Sequence, residues 1–342
     1  MINVLSLFDG MSCGRIALDR AGVKVGKYYA SELDKYAIKV SQANYPDIEH
    51  LGDVTKWREW DIDWNIDLLI GGSPCQGFSF AGKQLAFDDP RSALFFVYVD
   101  ILNHIKTVNP NVKFMLENVR MKKEFLSIIS EQLGVEPIFI NSALVSAQNR
   151  QRYYWCNWDV EQPEDKGILL KDIIDDYPEN PTYMSDKFKN RNAHILRDDF
   201  NGKAKNLSVM EYVKNGRQGD YIKARPCEPK IFDKNSLCHH AANATDIKGN
   251  ESIKRVYAET GKSPTLTTMG GGHREPKVLC NKSTVNDANA TQYRKLTPLE
   301  CERLQTVPDN YTNHVSNTQR YKMLGNGWTV DVIAHLFREY FR

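Results

Sequence analysis

The chain has 342 residues, of which 41% are hydrophobic and 26% are charged, and its formal net charge is +2. This composition excludes a disordered or collagen-like chain, and the length predicts one large core with room for a second, smaller domain. The sequence contains no stretch of about 18 apolar residues and no signal-peptide pattern, so we expect a cytoplasmic protein without a membrane span.

Apolar runs and helical patterns alternate through the first 160 residues. The predicted strands are 2–8, 28–31, 67–71, 113–117, 138–144 and 153–156. The predicted helices are 14–21, 35–44, 93–108 and 124–133. This alternation predicts an α/β fold with a doubly wound, mostly parallel sheet, in which ligands bind at the carboxyl ends of the strands.

The pattern changes from about residue 163 to residue 289, where short polar segments lack a helical period. Residues 181–285 contain 19 Lys and Arg against 11 Asp and Glu, an excess that suits a nucleic-acid-binding surface or a dispersed solvated one. Helical patterns return at 297–305 and 330–341. We therefore predict a catalytic domain over residues 1–165, a second domain over 166–290, and a segment over 291–342 that returns to the catalytic domain.

The seven cysteines show no paired spacing, which predicts neither a zinc site nor a disulfide framework. The group Cys227, Cys238, His239 and His240 also lacks the spacing of zinc ligands, so no metal is expected. Free cysteines indicate a reducing compartment.

Acidic residues and a glycine turn follow the first predicted strands. The turn Phe8-Asp9-Gly10-Met11 leads into a helix, whose N-terminus favours a carboxylate or another anion. Glu32 ends the second strand, where it can accept hydrogen bonds from ribose hydroxyls, and Asp53 follows a glycine. Each acid alone could be a surface residue or a helix cap, but together they predict a nucleoside pocket.

Cys75 lies in a Gly- and Pro-containing loop directly after the strand 67–71. A buried structural cysteine is the alternative, but this position at the carboxyl edge of the sheet favours a nucleophile. Glu117 ends the next strand and is expected beside Cys75 as a proton donor. Arg150 and Arg152 alternate on an extended segment, and they could bind phosphate or a base carbonyl.

These residues stand in motifs that resemble the DNA (cytosine-5)-methyltransferase family. The motifs occur in the family's order from residue 6 to the C-terminus: FDGMSCG, SELD, GDV, GGSPCQGFS, RSALFF, LENV, QNRQR, RKLTPLECERLQTVPDNY and YKMLGNG. The words SLFDG, IGGSPC and LGNGWTV are similar to the vertebrate de novo enzymes. The segment SPTLTTMGGGHREPKV resembles the target-recognition domain of a bacterial or phage enzyme.

The resemblance assigns roles to individual positions. It makes Cys75 the nucleophile, places Glu117 at the N3 edge of cytosine, and places Arg152 and Arg150 near O2. The residues that it assigns to the S-adenosylmethionine site are Phe8, Asp9, Gly10, Met11, Glu32, Leu33, Asp53, Val54, Pro74, Leu94, Asn326 and Trp328. The residues that it assigns to DNA are Gln76, Ser79, Arg91, Arg255, Thr265, Leu266, Gly270, Gly271 and Gly272.

The resemblance thus implies methyl transfer from S-adenosylmethionine to C5 of a cytosine flipped out of double-stranded DNA. It also implies a restriction-modification or phage context, no metal, and a monomer or a dimer. Two alternatives stay open, a tRNA cytosine-5 methyltransferase and a catalytically inactive DNA-binding relative. One departure from the family is Gly327, which stands where the motif usually has serine, so that a hydroxyl near the cofactor is lost.

Overall fold

The computed structural model describes residues 1–73, 93–175, 237–244, 247, 249–269, 274–280 and 292–341. In these ranges the largest element is a seven-stranded sheet with the order β3-β2-β1-β4-β5-β8-β6. Its strands are β1 (Ile2–Leu7), β2 (Val25–Ser31), β3 (Glu49–His50), β4 (Leu68–Gly71), β5 (Lys113–Val119), β6 (Ile138–Asn141) and β8 (Gln151–Cys156). All pairs are parallel except those of β8, which runs antiparallel to both neighbours.

Helices cover both faces of this sheet. They are α1 (Cys13–Arg20), α2 (Lys35–Asn44), α3 (Ala93–Val108), α4 (Lys123–Leu133) and the C-terminal α8 (Val330–Phe341). Successive strand residues point to opposite faces, so Val4 packs in one apolar cluster and Leu5 in the other. Helices α1, α2 and α8 contribute to the first cluster, and α3 and α4 to the second. The predicted doubly wound α/β fold is confirmed.

A second sheet of four strands has the order β13-β12-β10-β9. Its strands are β9 (His240–Asn243), β10 (Arg255–Tyr257), β12 (Lys277–Cys280) and β13 (Gln292–Lys295), and the short α5 (Glu251–Lys254) precedes β10. A separate parallel pair joins β7 (Gln148–Asn149) to β11 (Ser263–Pro264). This pair joins residues 263–264 to residues 148–149, just before β8 of the seven-stranded sheet.

The chain returns through α6 (Pro298–Leu304) and α7 (Asn317–Asn326) before α8. Thr297 caps α6 through a capping box with Glu300, as the Thr-Pro sequence predicts. The buried Glu300 carboxylate also pairs with Arg294 and accepts a hydrogen bond from the Asp175 backbone N–H. Arg294 in turn donates to the Asp175 carbonyl, so one carboxylate holds both ends of the intervening chain together.

One predicted strand is shorter in the structure, and some elements of the structure were not predicted. The predicted strand 138–144 ends at Asn141, because the Asn141 side chain accepts a hydrogen bond from the Ala143 N–H and begins a 3₁₀ turn. The two-residue β3 and the helix α7 were not predicted. Among the described helices, none has the length and apolar content needed to span a bilayer.

Candidate active site

The turn after β1 brings two of the predicted cofactor residues together. The Gly10 N–H donates to the Glu32 carboxylate at 2.8 Å, which connects the carboxyl ends of β1 and β2. Gly10 has φ +61°, and its neighbours Phe8 and Ser12 also have positive φ values of 59° and 64°. Such backbone conformations are rare outside glycine and concentrate at ligand sites.

Glu32 is also held by its own loop. Its second carboxylate oxygen accepts hydrogen bonds from the backbone N–H groups of Leu33 and Asp34, both at 2.7 Å. The carboxylate is therefore fixed in position at the edge of the sheet. The predicted cofactor residue Leu33 is 69% exposed beside it.

Asp9 points into the protein rather than toward solvent. Its carboxylate accepts hydrogen bonds from the hydroxyls of Ser12 at 2.5 Å and Tyr28 at 2.8 Å. Burial raises the pKa of Asp9 to about 6, although these hydroxyls oppose the shift. The Ser12 hydroxyl is also hydrogen-bonded to the Ser41 hydroxyl at 2.6 Å. Asp9 therefore stabilises the turn through buried hydrogen bonds.

Asp53 begins a 3₁₀ helix, Val54–Glu59, and its carboxylate accepts hydrogen bonds from the N–H and hydroxyl of Thr55. Asp53 is therefore a helix cap, which is one of the alternatives expected for this residue. Both hydrogen bonds use Oδ1, so Oδ2 is left for a ligand. Val54, Phe8 and Leu94 all contact the second apolar cluster. Met11 and Trp328 belong to the first cluster.

Glu117 on β5 lies between an arginine and a tryptophan. Arg152 Nε lies 2.8 Å from Glu117 Oε1, and Trp328 Nε1 donates to Glu117 Oε2 at 3.1 Å. The Arg152 Nε–H is buried, and it has no aligned acceptor among the described residues. A Cβ on Gly72 would lie 3.0 Å from Glu117 Oε2 and 2.9 Å from Trp328 Nε1, so this group is closely packed.

A residue that sequence reasoning missed connects β5 to the loop after β4. Asn118 is 2% exposed, and its side-chain amide donates to the Ser73 hydroxyl at 3.3 Å. The available signal was a second polar residue directly after Glu117, where the apolar run 114–116 ends. Ser73 immediately precedes the predicted nucleophile loop, of which Pro74, Cys75, Gln76, Ser79 and Arg91 lie outside the described residues.

Arg150 differs from the expectation that it approaches a base carbonyl. Its side chain is 3% exposed and donates to the carbonyls of Leu266 at 3.1 Å, Gly325 at 3.2 Å and Gly327 at 3.0 Å. Burial, together with the charge of Arg152, lowers the pKa of Arg150 to about 9, so the group is still charged at neutral pH. The structure therefore gives Arg150 backbone partners and leaves the predicted base contact to Arg152.

The predicted DNA residues Thr265 and Leu266 face the catalytic region. The Thr265 hydroxyl donates to the Asn149 carbonyl at 2.6 Å, and Leu266 is 1% exposed. The Leu266 side chain packs in the first apolar cluster, and a role of Leu266 in DNA binding stays a prediction. Arg255 is exposed on β10, and Gly270, Gly271 and Gly272 lie outside the described residues.

The unusual Gly327 has a packing explanation. A Cβ there would lie 3.1 Å from Met11 Cε and 3.2 Å from Cys13 Sγ. A serine side chain would therefore need these neighbours to move. Asn326, the preceding residue, is exposed at the C-terminal end of α7.

The chain has extensive similarity to known methyltransferases. The sequence profile described as C-5 cytosine-specific DNA methylase matches residues 2–342. The chain belongs to the C-5 cytosine-specific DNA methylase family. The orphan methyltransferase M.Rho11sI of Bacillus phage rho11s is 26% identical over 503 residues, covering 99% of this chain and 97% of the relative. The type II methyltransferase M1.ScrFI of Lactococcus lactis subsp. cremoris is 30% identical over 359 residues, covering 96% and 75%.

Solved structures agree at the level of the fold. A mutant form of DNMT2 from Spodoptera frugiperda aligns with a TM-score of 0.59 and 19% identity, covering 100% of both chains. The prediction of a DNA (cytosine-5)-methyltransferase is confirmed by the family and by the named relatives. Type II and phage enzymes among these relatives also bear out the predicted restriction-modification and phage context.

Proposed function

We propose that this C-5 cytosine methylase adds the methyl group of S-adenosylmethionine to a cytosine flipped out of duplex DNA, through a covalent bond between Cys75 and C6. The observation that carries the proposal is the position of Glu117. Its carboxylate is held by Arg152 and Trp328 and lies against Gly72, three residues before Cys75. A cytosine beside Cys75 would therefore be within reach of Glu117.

The chemistry requires a nucleophile because C5 of cytosine is itself unreactive. In the proposed first step the Cys75 thiolate forms a bond to C6, and the electron pair of the C5–C6 double bond moves toward C5 and N3. The electron pair at C5 would then form the bond to the methyl carbon as the methyl carbon–sulfur bond breaks, which leaves S-adenosylhomocysteine as the product. A base removes the C5 proton. The electrons of that C–H bond restore the double bond and expel the Cys75 thiolate.

Glu117 and Arg152 have complementary tasks in this scheme. Protonated Glu117 would donate to N3, where negative charge accumulates when the thiolate adds. The buried Arg152 Nε–H, which lacks an aligned acceptor among the described residues, suits the cytosine O2. Arg150 is not included among the base contacts, because its guanidinium donates to backbone carbonyls.

The carboxyl edge of the sheet fits S-adenosylmethionine. The N-cap Ser12 of α1 makes no side-chain capping hydrogen bond, so the start of this helix can receive the carboxylate of a ligand. Glu32 would bind the ribose hydroxyls, the free oxygen of Asp53 the adenine amino group, and Met11 and Trp328 the apolar surface. When bound, S-adenosylmethionine supplies an electrophilic methyl group to C5 of the activated ring.

We also propose that residues 166–290 are the target-recognition domain and that its basic excess binds the DNA backbone. Flipping removes the cytosine from the stack at a cost of a few kcal/mol, which protein–DNA contacts must supply. Duplex DNA is preferred over tRNA as the substrate because the family that matches the chain is described as cytosine-specific DNA methylases. The enzyme would act in the cytoplasm of a bacterial or phage-infected cell.

The test is methyl transfer from labelled S-adenosylmethionine to duplex DNA or to tRNA. Cys75→Ala is expected to abolish transfer to DNA while DNA affinity stays close to that of the wild type. Cys238→Ala is the matched control, because Cys238 is a half-buried cysteine whose pKa is raised by burial, and it should retain activity. Label on tRNA alone, or activity of Cys75→Ala near the wild-type rate, would reject the proposal.

A further inference from the structure

The backbone of Leu266 is held on both sides by side chains of the catalytic region. Its N–H donates to Gln148 Oε1 at 3.0 Å, and its carbonyl accepts from Arg150 at 3.1 Å. Leu266 belongs to residues 263–269, here called the recognition segment because it leads directly into the glycine loop predicted to bind DNA. The segment is further anchored by β11, which pairs with β7.

Arg150 connects this segment to a second one. Besides Leu266, it donates to the carbonyls of Gly325 and Gly327 in residues 325–328, here called the tail turn. The two segments also touch directly. A Cβ on Gly325 would lie 2.0 Å from the Thr267 carbonyl oxygen, so only glycine permits this approach of the two backbones.

A second polar route runs parallel to the first. Gln148 Nε2 donates to Gln305 Oε1 at 3.2 Å. Gln305 Nε2 in turn donates to the carbonyls of Leu324 at 2.6 Å and Gly327 at 3.2 Å. Gln148 and Gln305 are both 0% exposed, so water cannot replace these partners without rearrangement.

The tail turn ends at the catalytic carboxylate. Trp328 follows Gly327 in the chain and donates to Glu117 Oε2 at 3.1 Å. A shift of the tail turn would therefore move the indole that holds Glu117. Gly72 lies against both groups, since a Cβ on it would be 2.9 Å from Trp328 Nε1 and 3.0 Å from Glu117 Oε2.

We propose that Gln148, Arg150 and Gln305 are positioning residues that couple the recognition segment to Glu117 through the tail turn and Trp328. This inference rests on the proposed function. It implies that the carboxylate keeps its position only while the recognition segment keeps these contacts with Gln148, Arg150 and the tail turn. Methyl transfer would thereby be favoured at DNA that this segment accepts.

The chain offers a matched control for simple attachment of the two regions. Lys262 is 5% exposed, and its ammonium donates to the carbonyls of Ala143, Ser146 and Ile168. It is a buried cation next to the same recognition segment, but its partners lie outside the tail turn. Lys262→Met should lower thermal stability without affecting the placement of Glu117.

The experiment is a double-mutant cycle on the single-turnover rate of methyl transfer at saturating duplex DNA and S-adenosylmethionine. Arg150→Lys and Gln305→Leu are each expected to slow this rate by about fivefold or more. In a Trp328→Phe background the same changes should cost less than about twofold, because residues that act through one contact are not additive. DNA affinity, measured separately, should change much less than the rate.

The coupling would be overturned if the rate losses were additive in the Trp328→Phe background, or if Lys262→Met lost as much rate as Arg150→Lys. Either result would leave the proposed function intact, because the wild-type enzyme would still methylate DNA. A wild-type enzyme that fails to methylate duplex DNA would overturn both. If Arg150→Lys does not fold, Gln305→Leu carries the same test, since it preserves the buried cation.

Discussion

Trp328 donates a hydrogen bond from its indole N–H to the carboxylate of Glu117 at 3.1 Å, although the two residues are 211 positions apart in the sequence. The contact joins the tail of the chain to the centre of the sheet. The sequence does not indicate it, since the resemblance assigns Trp328 only to the cofactor site. The indole can serve both purposes, because its ring packs against Gly14 while its N–H faces Glu117.

Replacing Trp328 by phenylalanine should slow single-turnover methyl transfer by about tenfold to a hundredfold, since a hydrogen bond to a charged group contributes about 1.5–3 kcal/mol. Trp158→Phe is the control, because the Trp158 indole N–H donates to the Leu336 carbonyl at 3.0 Å. The control should change stability more than rate. Equal rates for Trp328→Phe and the wild type would show that Glu117 does not need this donor.

Gly72→Ala should also reduce the rate, because the new methyl group would meet Glu117 Oε2 and Trp328 Nε1 at 3.0 Å or less. Overpacking of this kind typically costs about 1–3 kcal/mol. Gly134→Ala provides the contrast: Gly134 ends α4 with φ +72°, and a Cβ there would have no neighbour within 4 Å, so only stability should fall. Stopped-flow transfer assays and thermal melts together distinguish the two effects.

Glu117→Gln is expected to slow methyl transfer by about a hundredfold or more, as the loss of a general acid usually does. The amide has nearly the same size, but it removes the negative charge beside the Arg152 guanidinium and can place an N–H₂ group against the Trp328 N–H. Glu131→Gln, an exposed change on α4, should leave the rate unaltered. A single-turnover rate for Glu117→Gln within twofold of the wild type, measured at saturating DNA, would contradict the proposed role.

Asp9 should make the stability of the protein depend on pH. Its pKa is raised from 3.8 to about 6 by burial, so the folded state binds a proton that the unfolded state has already released between these values. The stabilisation that protonated Asp9 gives the folded state is therefore complete below pH 3.8, and it is lost as the pH rises through about 6. The loss is about 3 kcal/mol in the free energy of unfolding, an upper estimate from the size of the shift.

The Asp9→Asn variant isolates this effect, because asparagine has no titratable group. Denaturant unfolding gives the free energy of unfolding of both proteins from about pH 4 to about pH 7. As the pH increases, the wild type should lose stability relative to Asp9→Asn. Other acids titrate in both proteins and cancel in the comparison. Parallel stability curves would mean that Asp9 is not buried as the structure describes.

Local sequence patterns predicted the regular parts of the fold because those parts follow hydrophobic periodicity. The helices α2, α3 and α8 have the predicted bounds, and each presents an apolar face to the sheet. Helix α7 was missed because its buried face includes Arg320. The guanidinium pairs with the buried Glu302 carboxylate at 3.0 Å, so a charged residue occupies a position where periodicity requires an apolar one.

The candidate site was predictable where it depends on strand ends and unpredictable where it depends on contacts distant in the sequence. The positions of Glu32 and Glu117 follow from the order of parallel strands. The partners of Arg150 do not, because its carbonyl acceptors belong to segments more than 100 residues later in the chain. The Arg150 guanidinium is buried in the core, whereas its spacing from Arg152 on an extended segment suggested that both arginines could contact a base or a phosphate.

The carboxylate of Glu300 has a consequence for how this enzyme can diversify. It accepts a hydrogen bond from the Asp175 N–H and pairs with Arg294, which itself donates to the Asp175 carbonyl. Asp175 and Arg294 are the two ends of the stretch that contains most of the second sheet. Because Glu300 holds Asp175 beside Arg294, the number of residues between Asp175 and Arg294 does not set the distance between these two ends. A foreign stretch of polypeptide inserted between these two residues could change which DNA is read, provided that residues 262–269 keep their contacts with β7, Arg150 and the tail turn.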